Sequence, residues 1–301
     1  MKLLIVGAQS PVGEELCKQL EERGLEYFAP EASEISAQDP VDLAKVVTRY
    51  SPSQVINLAS FGAGSQLAVS AAESKPEECE QINHVLVSLL AQVCDHLNIP
   101  LLHLSTAYVF SGEKKLGYNE EDVCEPVGVY GRTALKGEQA IQNDSDKYIV
   151  LRIGRVFGLG QDELIQHWVK EACDNEGAVT VTRRKFSPTP AEDVARVLMA
   201  IALQVDCGAQ VWGIYHYCGL ETKRESEFVQ QVLKLAAQHD EKVYRLLDHL
   251  SLNLMRPEPP EITNTTLATK KIFDTFGIKQ RSWHGALQTL IKAIYKVDSK
   301  S

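Results

Sequence analysis

Short apolar runs that alternate with longer segments of helical spacing constrain this chain more than any other feature. Leu3–Val6 is a β run that ends at Gly7. Gly13–Arg23 follows with Leu16 and Leu20 on one helix face, and Gly24 stops it. Glu26–Ala29 reads as a second strand, Pro40–Tyr50 as a helix and Val55–Ala59 as a third strand. Glu77–Leu97 carries Ile82, Val85, Leu89, Leu90 and Val93 on helical spacing, which predicts one long helix. Leu101–Ser105 and Tyr148–Ile153 read as strands on either side of a helix over Tyr130–Gln142. Alternation of this kind builds βαβ units, so the fold class is α/β, with a doubly wound parallel sheet covered on both faces.

The rhythm loosens after Gly158. Leu164–Cys173, Ala191–Leu203, Glu225–His239, Leu267–Phe276 and Gly285–Lys296 read as helices. Val211–Tyr217 reads as a strand, and the Pro-rich stretch Arg256–Thr265 as a surface crossing. Residues 1–158 are expected to form a dinucleotide-binding domain. Residues 159–301 are expected to form a smaller substrate or partner lobe, with the chain free to cross back between the two. The net charge of −9, without a long basic run, argues against nucleic acid or an anionic membrane as partner. The first apolar run is too short for a signal peptide, and no run reaches the roughly 18 residues of a membrane span. Seven scattered Cys without a C-x-x-C pair read as reduced thiols of a cytoplasmic chain, with no metal site.

Gly7-Ala8-Gln9-Ser10-Pro11-Val12-Gly13 sits between the first strand and the first helix, where backbone N–H groups can cradle a pyrophosphate. This marks the sheet as Rossmann-type and Gly7, Ser10, Pro11, Val12 and Gly13 as cofactor residues. The pattern G-x-x-G-x-x-G has Ser10 at its middle position, which adds a side chain where the phosphates approach. Glu31, 18 residues past Gly13, is placed to bond the adenosine ribose and to repel a 2′-phosphate. No Arg lies between Pro30 and Pro40. The expected cofactor is therefore NAD, with NADP the second choice.

Val129-Tyr130-Gly131-Arg132-Thr133-Ala134-Leu135-Lys136-Gly137-Glu138 resembles the active-site helix of a short-chain dehydrogenase, in which a Lys follows the Tyr by four residues. Here that position is Ala134. Positions i and i+4 share a helix face, whereas Lys136 lies roughly 200° round from position 134 and Arg132 roughly 200° from Tyr130. Several further segments resemble the dTDP-4-dehydrorhamnose reductase branch of the extended short-chain dehydrogenases. They are Val55–Ala59, Ala72–Asn83, Leu104–Gly112, Ser187–Ala195, Arg256-Pro257, Asn264–Lys270, Phe276–Ile278 and Trp283. The resemblance implies hydride transfer to a 4-keto nucleotide sugar. Thr106 would hold the substrate carbonyl, Tyr130 would protonate the new alcohol, and Ala59, Ser60 and Ser105 would line the cofactor site. Without its Lys, Tyr130 is expected to keep an ordinary pKa of about 10.

The departures from the family pattern gather at the site. Ala107 replaces the Asp after the catalytic Thr, and Ser111 replaces a second Asp. Arg155 stands where the family has a Trp against the sugar, and Arg183-Arg184-Lys185 replaces an acidic or amide pair. Ala107, Arg155, Arg183 and Arg184 are thus the expected substrate or anion contacts, the arginines forming a cationic rim. His103 and His216 read as structural histidines in apolar strands. The leading function is a dinucleotide-binding, nucleotide-sugar reductase type of protein with impaired or altered catalysis. The alternative is a non-catalytic NAD(H)-binding regulatory or partner subunit, and a scaffold that binds no nucleotide is a third reading. The ligand is a nucleotide sugar or another anion; a protein partner and a homodimer stay open.

Overall fold

A computed structural model describes residues 1–35, 39–63, 65, 67–158 and 163–298. The first half is built from β1 (Lys2–Val6), α1 (Pro11–Glu22), β2 (Glu26–Phe28), α2 (Pro40–Tyr50), β3 (Gln54–Asn57) and α3 (Ala68–Ser74). It continues with α4 (Pro76–Glu80), a π turn (Gln81–Val85), α5 (Leu86–His96), β4 (Leu101–Thr106), α6 (Val129–Asp144) and β5 (Tyr148–Ile153). The second half holds β6 (Val156–Phe157), α7 (Glu163–Asp174), β7 (Ala178–Thr182), β8 (Lys185–Phe186), β9 (Thr189–Pro190), α8 (Ala191–Asp206) and β10 (Gly213–Tyr217). It ends with β11 (Lys223–Arg224), α9 (Glu225–Ala236), α10 (Glu241–Leu246), β12 (Ser251–Met255), α11 (Lys270–Phe276) and α12 (His284–Asp298).

Six parallel strands in the order β10-β5-β4-β3-β1-β2 form the main sheet. Beyond residue 158 the chain therefore returns to this sheet, with α8 and then β10, before it completes the lobe. Strand alternation sorts the core into two layers. Leu3 and Ile5 face Leu16 and Leu20 of α1 and Val194, Leu198 and Ile201 of α8. Leu4, Val6, Val55, Leu101 and Val150 face Leu43 and Val47 of α2, Leu86 and Leu90 of α5 and Ile141 of α6. The lobe has its own core, in which Phe157, Trp168, Phe186 and Trp283 gather round Phe228. Tyr215 is likewise core and packs edge-on against Phe276.

Three local departures from the sequence reading have clear causes. The first helix starts at Pro11 rather than Gly13, because Ser10 caps it and Pro sits at the first helical position, where no N–H is needed. The helix expected over Glu77–Leu97 widens at Gln81–Val85. There the Asn83 amide turns inward, taking the Phe61 N–H at 2.8 Å and donating to Thr133 at 3.2 Å. The helix expected from Leu267 begins only at Lys270, because Thr266 and Ala268 pair with the backbone of Tyr118.

One buried ion pair fixes α6 on the sheet. The Arg152 guanidinium of β5 donates to both oxygens of Glu138, the shortest bond being 2.6 Å, and both side chains are almost fully buried. The Ser105 hydroxyl of β4 donates to the same carboxylate. Removing one partner of such a pair strands the other charge in a low dielectric. Glu138→Ala is expected to cost about 3–5 kcal/mol of stability, part of it recovered by Arg152→Met in the double variant. Urea unfolding of the three variants checks this, and a loss under about 1 kcal/mol would show that the pair holds little.

Candidate functional site

The carboxyl ends of β1, β3, β4 and β5 open into one cleft, closed on its far side by the residues after β5 and by Arg184. In open α/β sheets this is the crevice that takes ligands. Ser10, Pro11 and Val12 line it at the β1–α1 turn, and Ala59 and Ser60 line it after β3. Ser105, Thr106 and Tyr130 line its floor, with Arg155 and Arg184 on the lobe side. Gly7 and Gly13 lie behind this lining, Glu31 and Arg183 are exposed away from it, and Ala107 packs beneath it against Val109 and Phe110. The cationic triplet thus divides: Arg184 enters the cleft and Arg183 does not.

The β1–α1 turn has the shape a pyrophosphate needs. Gly7 has φ +79°, and a Cβ there would lie 2.5 Å from the Ala59 nitrogen, so only glycine allows the turn to press on β3. Ser10 closes the turn internally: its hydroxyl donates to the Gly7 carbonyl at 2.8 Å and accepts the Gly13 N–H at 3.1 Å. Pro11 has no N–H to give. Among the described residues, the Val12 N–H then has no backbone acceptor, and a helix start of this kind can offer such a donor to an anion. The turn fits a dinucleotide with fewer amide donors than a glycine at position 10 would leave. Glu31 caps the short turn Ala32–Glu34 and meets Gln9 at 3.5 Å, so its carboxylate lies beside the turn but not in the cleft.

On the cleft floor beside β4, Ser60 and Tyr130 share a hydrogen bond of 3.0 Å between their hydroxyls. Thr106 caps the following short turn by accepting the Tyr108 N–H at 3.2 Å, which leaves its own proton for a ligand. Ala134 is buried, one helix turn beyond Tyr130, and its methyl lines the cleft at the position where the resembled pattern has a Lys. Lys136 pairs with Glu80 at 2.7 Å, Arg132 donates to the Val127 carbonyl, and Lys114 pairs with Asp122. None of these cations serves Tyr130. Burial pushes the Tyr130 phenol above its usual value, against a smaller lowering by the Ser60 hydrogen bond. This corrects the expectation of an ordinary pKa, which burial of the phenol raises.

Sequence reasoning set aside His103 as structural and did not single out Asn83, Tyr108, Glu225 or Glu261. His103 lines the cleft. Asn57 takes the Ala59 N–H on its carbonyl oxygen, so its amide nitrogen donates to His103 Nδ1 at 3.1 Å. Burial pushes the imidazole down to about 4, so at neutral pH it is uncharged and carries its proton on Nε2. A polar residue inside an apolar helical run was the one available signal for Asn83. Glu225 and Glu261 meet their arginines across 41 and 77 residues of chain, and no local pattern announces that.

Residues 1–296 match the RmlD substrate binding domain family, and the chain belongs to that family. The dTDP-4-dehydrorhamnose reductase of Aggregatibacter actinomycetemcomitans is 28% identical, over 96% of this chain and 98% of that protein. The Sinorhizobium fredii protein of the same name is also 28% identical, over 84% of each chain. Among solved structures, a dTDP-4-dehydrorhamnose reductase from Clostridium acetobutylicum superposes with a TM-score of 0.83 at 22% identity, covering 98% of this chain and 99% of that one. The Bacillus anthracis protein of that name, in complex with NADP, gives 0.78 at 18% identity over 97% of this chain and all of that one. MoeE5 in complex with UDP-glucuronic acid and NAD gives 0.76 at 19% identity over 99% of this chain and all of that one. No described helix is long and apolar enough to cross a membrane.

The two buried histidines make a pH prediction. Burial lowers His103 to about 4 and His216 to about 3, both below the ordinary 6.5. The unfolded chain therefore takes up these protons first. The stability is complete above pH 6.5 and is lost as pH falls toward 4, at about 1.4 kcal/mol per pH unit for each histidine. Urea midpoints for His103→Gln and wild type at pH 7 and pH 4.5 measure the share of His103. Equal pH slopes in the two proteins would contradict a neutral buried imidazole.

Proposed function

We propose that this chain binds a nicotinamide dinucleotide and a nucleotide sugar in the cleft, and that reduction of the sugar is slow because no ammonium stands beside Tyr130. The reading is carried by one observation. Every hydroxyl needed to grip a carbonyl lines the cleft, while the position that would tune the Tyr130 proton is the methyl of Ala134.

The Val12 N–H would meet the pyrophosphate at the turn that Gly7 and Gly13 shape from behind, with Ala59 and Ser60 along the nicotinamide half. The relatives' structures with NADP and with NAD support this class of cofactor, and Glu31 beside the turn favours NAD. When bound in its reduced form, the dinucleotide supplies a hydride. Thr106 and Tyr130 would hold the substrate carbonyl between two O–H donors, and the Tyr130 phenol would give its proton to the new alkoxide. Ser60 orients that phenol. Without a neighbouring cation, the phenolate left behind is poorly stabilised in a buried site. On this division of labour, residues 1–158 with α8 and β10 carry the dinucleotide, and the remaining lobe closes over the sugar.

The same Ala134 favours a second reading, in which the chain binds NAD(H) and regulates or supports a partner without turnover. Ala134→Lys separates the two. On the enzyme reading it raises the reductase rate by about 10²–10⁴-fold, the usual worth of tuned acid–base help, with little change in dinucleotide affinity. NADH and NADPH titrations, followed by nicotinamide fluorescence, are expected to show binding with NADH preferred. Binding without any gain in Ala134→Lys would support the regulatory reading. No binding at millimolar dinucleotide would sink both.

A further inference from the structure

Two of the arginines that depart from the family pattern meet in the fold. Arg155 follows β5 and Arg184 precedes β8, and both reach one oxygen of Glu225, each at 3.0 Å. The other Glu225 oxygen takes the Thr182 N–H at 2.6 Å and the Thr182 hydroxyl at 2.5 Å. This carboxylate is buried and its bonding capacity is full. Glu261 neutralises Arg184 and also accepts the Tyr108 hydroxyl at 2.6 Å. Arg155 has only its share of Glu225. Among the described residues, its Nε and second terminal nitrogen have no hydrogen-bond acceptor, while its face lies over the rings of Trp168 and Phe186.

The seat lies close to the chemistry. The Tyr130 ring meets the Tyr108 ring edge-on at 5.9 Å, the Tyr108 hydroxyl is 3.4 Å from Arg184, and Arg184 shares Glu225 with Arg155. All four side chains line the same cleft. Burial and the nearby Arg184 charge hold Arg155 below its ordinary pKa despite Glu225. A guanidinium so placed gains from one more anion, and its free edge is a two-pronged donor that matches carboxylate or phosphate oxygens.

We infer that Arg155, braced beside Arg184 on Glu225, is the receptor for an anionic oxygen group of the ligand, a carboxylate on the sugar or the diphosphate that joins it to the nucleoside. The inference rests on the proposed nucleotide-sugar function and adds the charge of the group that sits past Tyr108. Glu225 sets the position of both guanidiniums and does not itself meet the ligand. Glu261 holds Arg184 and Tyr108 in the meantime and competes with any anion that reaches them.

UDP-glucose and UDP-glucuronate differ by one carboxylate and separate the two sources. Calorimetric titrations of the whole protein with each, in wild type, Arg155→Gln and Arg155→Lys, form the test. If the sugar carries the anion, wild type binds UDP-glucuronate at least about tenfold tighter than UDP-glucose, and Arg155→Gln erases the difference. If the diphosphate is the anion, both ligands bind alike and Arg155→Gln weakens both by a similar factor. Arg155→Lys, which keeps the charge without the fork, falls between wild type and Arg155→Gln in either case and serves if the Gln variant folds poorly. Affinities that stay within about twofold in both variants overturn the anion seat while leaving nucleotide-sugar binding intact. Absence of binding to wild type of either nucleotide, at millimolar concentration, overturns the functional reading and this inference together.

Discussion

The site depends on how α6 is oriented, and one buried carboxylate sets that orientation. Tyr130, Ala134 and Glu138 are four residues apart and so share a helix face. Glu138 is fully buried between Arg152 of β5 and Ser105 of β4, so that face must look onto the carboxyl ends of those strands. The close approach of Gly137 to the π turn fixes the remaining freedom. A Cβ at Gly137 would lie 2.2 Å from the Asn83 carbonyl oxygen, so the helix sits nearer to that turn than any side chain would permit. Arg152 extends the anchorage across the sheet edge, lying over Phe110 and reaching His216 at 3.4 Å. Tyr130 lines the cleft because the residues two turns below it are locked.

Much of this was legible from the chain alone, for reasons that differ by element. β1 and β5 are short apolar runs and α2 carries helical spacing, and their limits could be read within a residue or two. The two-residue strands after β5 have too few residues to show a period, and they exist because partners distant in sequence pair with them. Lys223 opposite Phe186 is such a case. The π turn left no trace in the hydrophobic pattern, since a single wide turn barely shifts the apolar face. Its purpose shows only in Asn83, which ties Phe61 to Thr133.

The candidate site was legible in the same uneven way. Thr106, Tyr130 and the β1–α1 turn belong to contiguous motifs, and the fold brings them to one cleft. Arg183, Arg184 and Lys185 look alike in sequence, yet the bend between β7 and β8 sends only the middle one into the cleft. Ser10 could be recognised as an intruder in the glycine pattern, but its use as a helix cap that consumes the Gly13 N–H is a matter of geometry.

The charges in the cleft differ between its two ends. At the Tyr130 end, the position for an ammonium is a methyl, and burial holds the phenol in its neutral form. At the lobe end, two guanidiniums have gathered where the family places a Trp and an acidic or amide pair, and two carboxylates behind them keep the pair tolerable in a dry site. Among the described residues, positive charge thus stands on the far wall of the cleft and not beside the Tyr130 hydroxyl. A cation beside Tyr130 would favour the phenolate and so speed proton transfer. A cation beyond Tyr108 is too far along the chain of contacts to do that, and what it can still do is attract and orient an anion.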